Sequence, residues 1–249
     1  MRIAMTVAAA GMMLAAAAAM AQEPVSLTPL ETAVACAPPP TLDGPAASVL
    51  RVIGTQDTNA RNLAGQHDLI VIDGGTKAGV QLGQEFFVRR PNKLGERYGI
   101  ISGTVHTAGW IRVVAVNDTT SIAAVEHMCD GMLYGDYLEK FVAPRVPAGA
   151  DRTDTTGEPN FTSLARVLVG DEDRVLAGTY MFTMIDRGSA EGVAPGARVA
   201  IYRDVRIPSM PLASIAEGVV VSVGPHAALT RVTAARDAVI NGDYVAFRK

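Results

Sequence analysis

The strongest constraint on this chain is that it is written twice. Displaced by 113 positions, Leu63-Ala64-Gly65 falls on Leu176-Ala177-Gly178 and Ile72-Asp73 on Ile185-Asp186, with no gap between them. Gly75, Gly79, Val80, Gly83 and Arg90 then fall on Gly188, Gly192, Val193, Gly196 and Arg203. These are ten identities in the 28 positions from 63 to 90, where ordinary composition gives about two. At a displacement of 107, Val113, Val114, Val116, Val125 and Asp130 meet Val220, Val221, Val223, Val232 and Asp237, and Gly135-Asp136-Tyr137 meets Gly242-Asp243-Tyr244. The order is preserved, and the first copy is six residues longer between the two blocks. The chain is a tandem duplication of a unit of roughly 85–95 residues, and any fold proposed for one copy must suit the other.

Each copy reads as β. Short runs rich in branched and aromatic residues, such as Asp68-Leu69-Ile70-Val71-Ile72 and Glu85-Phe86-Phe87-Val88, alternate with Gly, Asn and Asp, and no window sustains a long capped amphipathic helix. The expected fold class is all-β, with two tandem small β-barrel or sandwich units of about six strands each. The glycines are explained as turn residues. After the strand ending at Asp73, Gly75 and Gly79 are candidates for positive φ, Val80 plugs the core, and Gly83 opens the next strand. Asp186, Gly188, Gly192 and Gly196 repeat this, and Gly-Asp-Tyr feeds each unit's last strand.

Residues 1–21 carry the marks of a bacterial secretory signal: Arg2, an apolar stretch over 3–20, and Ala19-Met20-Ala21 as a cleavage site. The alternative, a membrane anchor, is disfavoured by its alanine content and by the polar residues that follow. The mature protein is expected to be periplasmic or secreted and not membrane-spanning. A Pro-rich entry segment (22–48), extended around Cys36-Ala37-Pro38-Pro39-Pro40, precedes the first unit (49–142), a Pro, Gly and Asp-rich solvated linker (143–163) and the second unit (164–249). Export turns an even cysteine count into an expected disulfide between Cys36 and Cys129. A reactive thiol helped by His127 is the sharper and weaker alternative.

Chemistry is scarce in this sequence. A hydrophobic content of 49% excludes a mainly disordered chain, and 22 basic against 25 acidic residues give no field that would gather nucleic acid. Neither G-x-x-x-x-G-K-[ST] nor G-x-G-x-x-G occurs in the glycine loops. His67, His106, His127 and His226 lack metal-ligand spacing, and no G-x-S-x-G elbow surrounds a serine. The aspartates sit beside glycines, where turn chemistry explains them. No catalytic residue, cofactor or metal is expected. Arg89, Arg90, Lys93, Arg97 and Tyr98 form a basic region that is either a solvated loop or a partner patch. Trp110 is either a stacking platform or a buried strand residue.

The string Ile-Asp-x-Gly-[Ser/Thr]-x-x-Gly-Val-x-x-Gly, followed by a strand ending in Arg, a Val-rich strand and Gly-Asp-Tyr, resembles a β module of bacterial envelope proteins. It is similar to the C-terminal domain of the flagellar assembly protein T and to the segment that follows LysM repeats in exported peptidoglycan-binding proteins. The resemblance implies an envelope-resident binding or assembly module. The expectation is therefore a non-enzymatic scaffold or adaptor for an envelope protein, with peptidoglycan or another glycan as the alternative ligand. Function is expected where the copies differ, chiefly in the longer excursion over 91–112.

Overall fold

The strands arise where the apolar residues alternate. In Leu69–Ile72 the burial alternates residue by residue, with Ile70 and Ile72 pointing inward, and Ser121–Met128 repeats the rhythm. The computed structural model describes residues 26–43, 49–59, 61–92, 104–170 and 176–249; the signal segment and Lys93, Arg97 and Tyr98 lie outside them. Unit one is a six-stranded curled antiparallel sheet in the order β1 (Val52–Thr55), β3 (Leu69–Ile72), β6 (Ser121–Met128), β5 (Val105–Val116), β4 (Glu85–Pro91), β8 (Tyr137–Lys140). Short β2 (Leu63–Ala64) pairs with β7 (Met132–Leu133). Unit two is a closed barrel with the same order: β9 (Ala165–Gly170), β11 (Phe182–Ile185), β14 (Ala228–Ala235), β13 (Ala213–Val223), β12 (Arg198–Arg203), β16 (Tyr244–Phe247). Here β10 (Leu176–Ala177) pairs with β15 (Val239–Ile240). The all-β, two-unit expectation holds. The barrel closes through Tyr244–Arg166 and Val245–Ala165, whereas unit one's edges meet at the single bridge Arg51–Tyr137.

The duplication extends to the irregularities. β5 slips register at Trp110/Ile111 and Val113/Ala115, and β13 at Glu217/Gly218 and Val220/Ser222, the same positions displaced by 107. β4 slips at Val88/Arg89 and β12 at Ile201/Tyr202, displaced by 113. Bulges bend and twist a strand locally, so these shared slips curl each sheet upon itself. Each interior is then filled by its own apolar set, with Ile70, Ile72, Ile111 and Val113 in one and Ile185, Ile201, Val220 and Val232 in the other. Val80 and Val193 are buried in matching places.

The glycine turn needs one correction. Gly79 and Gly192 do take positive φ (78° and 82°), closing a single 3₁₀ turn, but Gly75 and Gly188 are at φ −132° and −133°. Their requirement is space. A Cβ on Gly75 would lie 2.2 Å from the Asn117 carbonyl oxygen, and one on Gly188 2.3 Å from that of Gly224, where Thr76 and Ser189 donate their amides.

Upstream of the Pro-rich stretch the entry segment contains a helix, α1 (Pro29–Cys36), which the sequence reading did not include, and the chain leaves it extended at Ala37 (φ −66°, ψ 158°). Thr28 caps it, accepting from the Glu31 amide at 3.3 Å while the Glu31 carboxylate accepts from the Thr28 amide at 2.8 Å. This is a capping box with Pro at the first helical position. The residues between the units stay largely exposed, and part of the segment is hydrogen-bonded to unit two. Asn160 donates to Phe247 O, and Arg248 donates to Thr155 O and Gly157 O and pairs with Glu217, strapping this segment along the second barrel. Among the described residues no helix is long and apolar enough to cross a membrane.

Because the close approach is the same in both units, Gly75→Ala and Gly188→Ala should each cost about 1–3 kcal/mol. Chemical denaturation of the two variants checks this; a loss at only one site would mean that the turns are not equivalent.

Candidate functional site

The shared polar residues come first, because they compete for any functional role. Asp73 Oδ1 accepts from the Arg51 amide at 2.5 Å, and Asp186 Oδ1 from the Arg166 amide at 2.7 Å. Asp136 accepts from the Leu133 amide and Asp243 from the Ile240 amide, at 2.8 and 2.9 Å. Both latter carboxylates are buried and face an arginine. Arg203 holds Asp243 with two bonds of 2.8 Å and reaches Asp237 at 3.2 Å. Arg90 meets Asp136 at 3.4 Å and Asp130 at 3.8 Å, and donates to Gly131 O. Burial pushes the Asp136 carboxyl above the ordinary carboxylate range, opposed by the Leu133 amide and Arg90. Turn chemistry accounts for these aspartates, joined by an Arg–Asp pair that the sequence reading did not anticipate. Its trace was the repetition of Arg90 as Arg203 in register with Asp136 and Asp243.

The basic region is divided by the structure. Arg89 is buried, its guanidinium 4.4 Å from the Phe87 ring centre and paired with Glu139. Arg90 is committed to the carboxylates just described, while Lys93, Arg97 and Tyr98 are beyond the described residues. His106 lies 3.1 Å from Asp130, and His226 3.0 Å from Glu191. His67 occupies a turn at φ 67°.

The strongest difference between the units is on their outer faces. Phe87 and Trp110 point away from the interior of unit one yet are buried, because α1 lies over them with Ala35 between. Their rings meet edge to face at 6.5 Å, and Phe141 tilts against both. Of the two readings of Trp110, burial is the one realised, and it occurs outside the sheet rather than within. The opposite side of α1 presents Val34 to Phe182, Val219, Val221 and Leu229 on the outer face of unit two, where Ala37, the residue after the helix, and Ala150 join them. Cys36, at the helix end, is bonded to Cys129 beside the end of β6, with Cα atoms 5.5 Å apart, and Thr107 Oγ1 donates to Ala37 O at 3.3 Å. The helix is thus a wedge, covalently fixed to one unit and packed on the other.

Alongside the wedge runs a cleft of about 510 Å³. Its walls are Pro38–Pro40 and Val34 of the entry segment, Phe87, Arg89, Glu139, Lys140 and Val142 of unit one, Pro144 and Arg145 at the start of the connecting segment, and Val223 and Leu229 of unit two. Val142 is 67% exposed. Sequence reasoning missed this feature, although Thr28-Pro29-Leu30-Glu31 carries the helix-start pattern that would have placed α1. One cluster of potential metal ligands occurs among the described residues: Cys36, His127 and Cys129, with ligand atoms within 4.8 Å of one another. His127 stacks on Trp110 at 4.4 Å.

No protein-family model matches the chain, and no curated protein matches its sequence.

The buried Asp243 needs its arginine. Arg203→Ala should destabilise the protein by about 2–3 kcal/mol, whereas Arg206→Ala, at an exposed turn, should change it by less than about 0.5 kcal/mol. Thermal and denaturant unfolding of the two variants compares them directly.

Proposed function

We propose that this protein is a non-enzymatic, exported envelope adaptor that grips an extended segment of a partner protein in the cleft beside α1. The observation that carries this reading is the wedge. A helix locked to one unit and buried against the other joins the two units, and the cleft that it borders draws on both units and both connecting segments. The interiors themselves are packed with aliphatic side chains and offer a ligand little room. An apolar wall of Pro38–Pro40, Val142 and Val223, edged by Arg89, Glu139, Lys140 and Arg145, has the apolar centre and polar rim of a protein interface. A disulfide fits an oxidising compartment, consistent with the signal-like residues 1–21. The likeness to envelope modules noted in the sequence supports the same setting.

The glycan alternative is weakened by Trp110. The single tryptophan is 9% exposed and covered by α1, so it provides no open platform for a sugar ring.

Site-directed photocrosslinking tests the reading. A photoreactive residue at Val142 should capture a defined partner in cells, and Lys140→Glu with Arg145→Glu should reduce that capture at least about tenfold while leaving the thermal midpoint nearly unchanged. Capture lost instead in the Arg97→Ala, Tyr98→Ala double variant would move the site to the longer excursion of unit one. Pelleting of the purified protein with sacculi, in the absence of protein capture, would replace the adaptor reading with glycan binding.

A further inference from the structure

The disulfide lies in a setting that a purely mechanical bridge does not require. His127 is the penultimate residue of β6 and Cys129 lies in the bend directly after it. Cys36 arrives from α1, 93 residues distant in sequence. The two sulfurs and an imidazole nitrogen fall within 4.8 Å of one another, against the roughly 3.5–3.8 Å that separates ligand atoms around one zinc ion with bonds of about 2.0–2.3 Å. None of the three has a counterpart in unit two. Displacement by 107 puts Ala234 at the position of His127, Arg236 at that of Cys129 and Glu217 at that of Trp110, so the fold does not require the cluster.

We propose that Cys36, His127 and Cys129 form a redox-gated site for one thiophilic d¹⁰ cation, zinc(II) or copper(I), closed while the disulfide is intact and opened by reduction. The reductant is a dithiol. Thiol–disulfide exchange transfers two electrons and two protons to the protein, leaving Cys36 and Cys129 as thiols and the reductant as its own disulfide. The cation then forms two bonds to sulfur and one to the imidazole, releasing the two thiol protons. Soft thiolate and imidazole donors select these ions over magnesium or calcium. Three protein ligands complete a trigonal copper(I) site or leave a fourth position open on zinc.

The surroundings keep the ligands together once the sulfur–sulfur bond is gone. Cys36 stays near through the capped α1, the burial of Ala35 on Phe87 and Trp110, and the bond from Thr107 to Ala37 O. Cys129 is anchored by its amide, which donates to Ala108 O at 2.9 Å. Trp110 stacks on the face of the His127 ring with an interplanar angle of 19°, and this leaves the ring nitrogens, whose lone pair and N–H lie in the ring plane, to act at its edge. Such packing orients a metal-binding imidazole much as a second-shell partner does. This inference is independent of the partner cleft, because the cluster would bind its ion whether or not any protein docks there.

The test uses the full mature chain, reduced with a phosphine that is then removed under anaerobic conditions. Cobalt(II) is added as a spectroscopic stand-in for zinc, followed by zinc(II) or copper(I) in competition with a chromophoric chelator. The reduced protein should take up one equivalent and show thiolate-to-cobalt charge-transfer absorption that zinc or copper(I) abolishes. The oxidised protein should show neither. Cys36→Ser and Cys129→Ser should each remove the charge-transfer band, and His127→Ala should weaken binding by at least about tenfold. A reduced protein that binds no cation would overturn the proposal, including through release of α1. Equal affinity in the His127→Ala variant would overturn it as well.

Discussion

Curling a sheet into a small barrel buries one face of every strand and leaves the other to solvent, and in this protein that second face is apolar too. Phe87 and Trp110 on unit one, and Phe182, Val219, Val221 and Leu229 on unit two, are covered in large part by α1. One helix of eight residues covers both patches. Burying a single large side chain is worth about 1.5–3 kcal/mol, so this double coverage rivals the disulfide, whose long loop contributes about 4–5 kcal/mol in the chain-entropy account. The covalent bond and the packing act on the same element, and the position of the cleft follows from both.

The two units show which residues a fold of this kind demands. Bulges recur at equivalent positions, as do the close approach at Gly75 and Gly188, the buried valines and the Arg–Asp pair behind the last strand. The pair is looser in unit one, where Arg90 meets Asp136 at 3.4 Å, than in unit two, where Arg203 makes two bonds of 2.8 Å to Asp243. What the fold does not demand has been added to unit one alone: the disulfide, the stacked His127 and the helix docked over tryptophan.

Much of the architecture was legible because its causes are local or repeated. Ile72-Asp73-Gly74-Gly75 announces a strand and its turn within a few residues, and its echo at Ile185-Asp186 rules out chance. The Cys36–Cys129 bridge followed from counting. The candidate site was far less legible, because its parts are distant in sequence. Nothing near Trp110 says that Ala35 will cover it, and Arg89 looks like surface charge until Glu139 and Phe87 are seen beside it. Gly75 shows a subtler limit: the residue was identified correctly and its reason was not, since the Asn117 carbonyl that crowds it lies on another hairpin.

The wedge also imposes an order on the chain as it emerges from amino end to carboxyl end. α1 appears first, but Cys129 follows only after six strands of unit one, and Leu229, which covers Val34, lies 195 residues behind it. At synthesis rates of about 5–20 residues per second, that is a delay of roughly 10–40 s. For the whole interval the helix presents an apolar face with nothing to cover it. Early closure of the bridge fixes the other side of α1 on a finished unit one and leaves that face outward, as a prepared surface on which the second barrel arrives.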